Sequence, residues 1–147
     1  MIQIPEELGI EHLRKNFKKG DVLFYKNFEG KEKYRDSYFV LLTNCINDEF
    51  LVVRATKNIH YYNNPTNRLK HDIVLIKKGE TTIFTLDTII DLTWTRVFTI
   101  NEMKKLLGTL IVKKGCLPMQ IIKRINESVL MAVTIEEGWQ KIILECK

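Results

Sequence analysis

Arg54 and Thr56 stand two residues apart in the run Phe50-Leu51-Val52-Val53-Arg54-Ala55-Thr56-Lys57. Successive side chains of a strand point to opposite sides, so this spacing puts a guanidinium and a hydroxyl on one face. Phe50 and Val52 share that face, while Leu51, Val53 and Ala55 take the other. A fixed guanidinium beside hydroxyl donors stabilises charge developing on a phosphodiester as it is cleaved. An outward-facing strand cation and an ordinary β-branched residue have the same sequence signature. Arginine stays protonated near neutrality, so proton transfer falls more easily to histidine. His60 and His71 follow in the next segment.

That segment, Lys57 to His71, carries Lys57, His60, Tyr61, Tyr62, Arg68 and Lys70 around the turn signal Asn63-Asn64-Pro65. It reads as irregular, and a loop this long inside a compact domain is commonly functional or disordered. One expectation is that these residues contact RNA. The other is a surface loop with its aromatics packed against the domain. Lys26 to Arg35 reads as a second polar loop, with Lys26, Lys31, Lys33 and Arg35 interleaved by Phe28 and Tyr34. Aromatic faces for bases among charges for phosphates suit single-stranded nucleic acid, and a solvated hairpin loop has the same composition. Asp87 and Asp91 alternate onto one side of a β-rich run. Without a third ligand at recognisable spacing they read as edge or partner-facing charges rather than a metal pair.

The elements that position these residues follow from periodicity. The chain has 147 residues, 45% hydrophobic and 28% charged, which is the size and composition of a single globular domain. Its net charge of +5 favours polyanionic partners. No apolar run approaches the ~20 residues of a membrane helix, and no basic-then-apolar leader opens the sequence, so a cytoplasmic protein without a membrane partner is expected. Cys45, Cys116 and Cys146 fit no metal spacing and read as reduced thiols, Cys45 and Cys116 partly buried. No cofactor is implied.

Pro5 to Phe17 reads as a helix that Gly20 ends, with Ile10, Leu13 and Phe17 on one stripe. Strands are expected at Asp21–Tyr25, Tyr38–Leu42, Phe50–Thr56, Asp72–Ile76, Thr81–Phe84 and Leu86–Leu92, the last continuing through Trp94, Arg96 and Phe98. Asn47-Asp48-Glu49 joins the second and third as a hairpin. Thr99 and Glu102 form a capping box before a short helix that ends at Gly108, and Lys113-Lys114-Gly115 reads as a basic turn. Leu117 or Pro118 opens the longest helix, its stripe Met119, Ile122, Ile125, Val129 and Ala132, widened by Ile121. A second capping box, Thr134 to Glu137, precedes a last helix carrying Trp139, Ile142 and Ile143.

The order of these elements resembles the MazF/PemK family of toxin ribonucleases. The echoes are collinear: Gly20-Asp21-Val22-Leu23-Phe24, Tyr38 to Asn44, Val52-Val53-Arg54-Ala55-Thr56, Leu86-Asp87-Thr88-Ile89-Ile90-Asp91, Leu107-Gly108, Leu117-Pro118, and Lys123 to Ser128. The resemblance implies an α+β, mainly β fold. Residues 1–19 would be an N-terminal helical extension, 20–98 a small SH3-like barrel, and 99–147 C-terminal helices, all within one domain. It implies metal-independent cleavage of single-stranded RNA by attack of the 2′-hydroxyl on the adjacent phosphate. Thr56 would hold the phosphate and Arg35 would bind it and move protons. The family has Arg-Pro directly before the second strand, whereas Arg35-Asp36-Ser37 precedes it here. A homodimer and an antitoxin protein are the implied partners. Two rivals need no Arg–Thr site: a non-catalytic nucleic-acid-binding barrel that keeps the basic loops, and a protein-interaction module whose ligand docks in the barrel groove.

Overall fold

A computed structural model describes residues 6–29, 34–68 and 72–146, with the side chains of 6–8, 27, 29, 34–35 and 67–68 left aside. In chain order the elements are α1 (Glu6–Asn16), β1 (Asp21–Glu29), β2 (Tyr34–Leu41), β3 (Glu49–Thr56), α2 (Ile59–Asn63), α3 (Pro65–Arg68), β4 (Ile73–Ile76), β5 (Thr88–Thr99), α4 (Ile100–Leu106), β6 (Ile111–Cys116), α5 (Met119–Met131) and α6 (Glu137–Glu145). The fold is α+β and strand-rich. Its six strands form one antiparallel sheet in the order β4-β5-β3-β2-β1-β6, which does not close on itself.

The β2–β3 hairpin is set by two residues. Asn47 and Asp48 take φ of 51° and 60°, and Ile46 and Glu49 exchange backbone hydrogen bonds of 2.9 and 3.0 Å around them. Two positive φ values in a two-residue turn match the right-handed twist of paired strands. Asn and Asp tolerate that conformation better than other non-glycine residues. Arg14 of α1 clips the turn from outside, its Nη2 2.6 Å from Asp48 Oδ1.

Alternation along the central strands feeds two cores. Val22, Val40, Val53 and Ile90 meet Ile121, Ile125 and Val129 of α5 and Ile143 of α6. Leu23, Phe39, Val52 and Phe98 meet Leu13 and Phe17 of α1 and Met103 of α4. Helices therefore cover the sheet on both faces, and β3 is buried from Phe50 to Val53. β5 serves β3 in two halves: Val53 pairs with Thr95, but Arg54 pairs with Asp91. Leu92, Thr93 and Trp94 stand out of register between them, an enlarged bulge that bends the strand.

Several expectations are corrected. Of the expected Lys26–Arg35 loop, Lys26–Glu29 belongs to β1 and Tyr34–Arg35 to β2, with 30–33 outside the described residues. Phe28 docks on Phe39 and Tyr25 with ring centroids 4.9 and 5.1 Å away. Lys57 to His71 contains the short helices α2 and α3. Thr81–Phe84 is not a strand. Lys77 N–H donates to Glu80 Oε2 at 2.7 Å, and Arg124 of α5 pairs with the same carboxylate oxygen at 3.0 Å. The segment beyond then folds across the sheet, with Phe84 on Tyr38. Lys113-Lys114-Gly115 is part of β6, a sixth strand among residues expected to be helical. Two lysines suit an unprotected sheet edge. In α5 the buried stripe is Ile121, Ile125 and Val129, and Met119 is exposed. Thr99 accepts from Glu102 N–H at 3.1 Å as the capping box requires. Thr134 does not cap α6; its hydroxyl donates to Asp72 Oδ2 at 2.7 Å. Cys116 is exposed.

Candidate functional site at the end of strand β3

Cross-strand register assembles one corner of the sheet. Arg54 lies opposite Phe39 of β2 and Asp91 of β5, and Thr56 lies opposite Ile89. Asp91 and Ile89 in turn face Ile73 and Leu75 of β4. Paired residues of neighbouring strands project to the same side, so cation, carboxylate and hydroxyl share the face that carries Phe39 and Phe98. Arg54 and Thr56 are both half-buried there.

The helix α2 closes the corner. Its Tyr62 is buried and donates its hydroxyl proton to Asp91 Oδ2 at 2.6 Å. The other oxygen of Asp91 accepts from Thr93 N–H at 3.0 Å. Asp91 is 1% exposed, so it is an interior acceptor and not the edge charge expected from sequence. Burial first, and the Asp91 hydrogen bond second, push the Tyr62 phenol well above its ordinary range, while the nearby charge of Arg54 pulls the other way. Ile59, Tyr62, Asn63, Ile73, Leu75 and Ile89 line a cavity of about 240 Å³ between α2 and the sheet.

Tyr62 must keep its proton in the folded state while the unfolded chain loses it. Stability from this contact is full below the ordinary tyrosine pKa of about 10 and is lost as pH rises above it. Tyr62→Phe is expected to cost about 2 kcal/mol at neutral pH and to remove that alkaline loss. Urea unfolding at pH 7 and pH 10.5 checks both.

Thr56 Oγ1 accepts from Asn58 N–H at 3.2 Å. Lys57 is exposed, its Nζ 5.9 Å from the centre of the Tyr38 ring. His60 and Tyr61 are exposed on α2, Tyr61 edge-on to Tyr62 with centroids 4.9 Å apart. Tyr62 faces inward and positions α2 instead of reaching solvent. Arg35 has its backbone in β2, opposite Phe28 of β1. It lies three residues outward from Tyr38, where the pairing with β3 ends. Its side chain and that of Arg68 in α3 are not described; Lys33, Lys70 and His71 lie outside the described residues.

The structure thus brings together Arg54, Thr56 and Tyr62, and adds Asp91. The signal for Asp91 was its place between Ile89 and Leu92, a carboxylate inside an apolar strand. Arg96 was also missed: its guanidinium lies 4.8 Å from the Phe28 ring centre, over the aromatic cluster of this face. Among the described residues no three His, Cys, Asp or Glu side chains could hold a metal ion. None of the described helices is long and apolar enough to cross a membrane.

No protein-family model and no curated protein matches the chain. Function therefore rests on the corner itself, where a guanidinium and a hydroxyl share one partly exposed face.

Proposed function

We propose that the chain is a ribonuclease of the MazF/PemK type, an SH3-like barrel in which the open sheet is the barrel wall. Its substrate is single-stranded RNA. The observation that carries this is the placement of Arg54 and Thr56 on one partly exposed face at the end of β3, with α2 beside them. Positive net charge and the collinear order of elements support it.

A phosphate seated at this corner meets the Arg54 guanidinium and the Thr56 hydroxyl. The 2′-hydroxyl attacks the adjacent phosphorus, the bond to the 5′-oxygen breaks, and a 2′,3′-cyclic phosphate remains. Arg54 balances the charge gathering on the phosphoryl oxygens, and Thr56 donates to one of them. His60, exposed on α2, supplies an imidazole for the 2′-hydroxyl proton, and the departing 5′-oxygen takes a proton from water to leave as a hydroxyl. Lys57 and Tyr61 extend the contact beyond the corner. Such a ribonuclease works as a homodimer and is held in check by an antitoxin protein.

Asp91 favours a second reading. A buried carboxylate directly across from Arg54 competes for its charge, which suits a barrel that binds RNA without cutting it. Incubating a single-stranded RNA with the protein in EDTA separates the two. Cleavage that leaves cyclic-phosphate ends, and falls about a hundred- to a thousand-fold on Thr56→Ala, is the result expected. Retarded but intact RNA, or cleavage unchanged by Thr56→Ala and by Arg54→Lys, overturns the catalytic assignment.

A further inference from the structure

We infer that a second patch, on the face of the sheet opposite Arg54 and Thr56, is a stacking platform for single-stranded RNA. Phe24 of β1 and Tyr38 of β2 are cross-strand partners. Their ring centroids are 5.1 Å apart with the planes inclined at 56°. Lys114 of the edge strand β6 holds its ammonium 5.4 Å from the centre of the Phe24 ring. Lys57, just past β3, holds its own 5.9 Å from the centre of Tyr38. The row Lys114, Phe24, Tyr38, Lys57 therefore crosses β6, β1, β2 and the end of β3, a cation at each end and two aromatic rings between. Both rings are partly exposed and both lysines are exposed. Buried Phe84 meets Tyr38 edge-on at 5.7 Å and fixes its position.

Lysines parked over exposed rings are weakly held, and a nucleobase stacked on the same ring is held more strongly. A base arriving at Phe24 or Tyr38 displaces the ammonium from the ring face. The flexible lysine stem then lets the charge turn to the phosphate next to that base. Every base has a π-face, so this platform takes single strands with little regard to sequence. Lys57 ends the row one residue past Thr56 but on the other side of the sheet, so a strand on the row reaches the proposed cleavage corner by passing around the end of β3.

The platform rests on the nucleic-acid part of the proposed function but not on cleavage. The probe is a fluorescent, uniformly 2′-O-methylated single-stranded RNA, which lacks the attacking hydroxyl and stays intact. Binding is followed by anisotropy across salt concentrations. The pair Lys57→Glu with Lys114→Glu is expected to weaken binding at least tenfold, and the salt slope should fall by about 1.4, two phosphate contacts at roughly 0.7 each. Tyr38→Leu should weaken binding several-fold with the slope unchanged. Lys105→Glu with Lys123→Glu makes the same charge change on exposed helix positions of α4 and α5 and should have little effect. Equal weakening by the two double variants overturns the platform, leaving only a general positive field. Binding unmoved by the Lys57 and Lys114 pair overturns it as well. If the wild-type protein cuts ordinary RNA while that pair leaves binding intact, the platform fails and the ribonuclease stands. If RNA is never cut but the pair weakens binding as stated, the platform stands and the ribonuclease fails.

Discussion

Replacing Gly20 with alanine is expected to lower stability by about 3 kcal/mol, a fall of roughly 6–12 °C in Tm for a chain of this size. Gly20 joins α1 to β1 with φ of +92°, where an L side chain is strained. A Cβ there would sit 2.6 Å from Ile122 Cδ1 and 3.3 Å from its Cγ1. The backbone cannot move aside, because it is pinned on both sides, so the Ile122 side chain, whose free end makes the contact, has to turn away from its packed position. Gly20 N–H donates to Leu41 O, and Gly20 O accepts from Leu117 N–H, both at 2.8 Å. One residue thus ties β1 to β2 and to the entrance of α5. Gly79→Ala is the informative control. Its φ of +96° is similar, but nothing lies within 4 Å of the added carbon. It should show the backbone cost alone, about 1–2 kcal/mol. Equal losses at the two positions in thermal melts would refute the packing argument at Gly20.

Lys19→Met should cost a similar amount, about 3 kcal/mol, and its effect should be concentrated at the C-terminal helix. Lys19 is 8% exposed. Its ammonium donates to Asn126 Oδ1 at 2.7 Å, Ile143 O at 2.8 Å and Cys146 O at 3.1 Å. Burial pulls its pKa down from the ordinary lysine range, and three oxygen acceptors compensate only part of the desolvation. Methionine fills the space but takes the ammonium away from Asn126 Oδ1 and Cys146 O, and leaves Ile143 O with the Cys146 N–H at 3.2 Å alone. The Cys146 N–H still caps Ile142 O and Ile143 O, but the end of α6 loses its side-chain donor and its link to Asn126 of α5 together. Amide exchange in residues 137–146 should accelerate more than in β3. Lys141→Met, at an exposed position of the same helix, should leave both quantities nearly unchanged. Uniform acceleration across the chain would mean that Lys19 serves general packing instead.

The elements with clear local chemistry were legible in the sequence. Asn47-Asp48 between two apolar runs specified the hairpin, and Thr99 with Glu102 specified the start of α4. What escaped was decided by contacts distant in sequence. Lys113-Lys114-Gly115 has the composition of a turn, and it is a strand because β1 needs a second partner at the sheet edge. The Thr134 box failed because Asp72, far away in the chain, competes for the hydroxyl. Asp91 carried no local mark of its partner, since Tyr62 comes from a helix expected to be irregular. Arg54 and Thr56 were legible as a pair because two-residue alternation is a strictly local property. The flanking Lys114–Phe24–Tyr38 row was not, because it draws on three strands.

The strand order also bears on how the chain acquires its shape. β1, β2 and β3 form a meander of neighbours in sequence, but β1 takes its other neighbour, β6, from far along the chain, and β3 takes β5 across both helices of the Lys57–Arg68 segment. Closing those distant pairings loses chain entropy before any contact repays it. The meander should therefore organise early and β6 dock late, with refolding slower than for a helical protein of equal length. Stopped-flow refolding followed by pulse labelling would show it as protection at Val40 and Val53 preceding protection at Ile111.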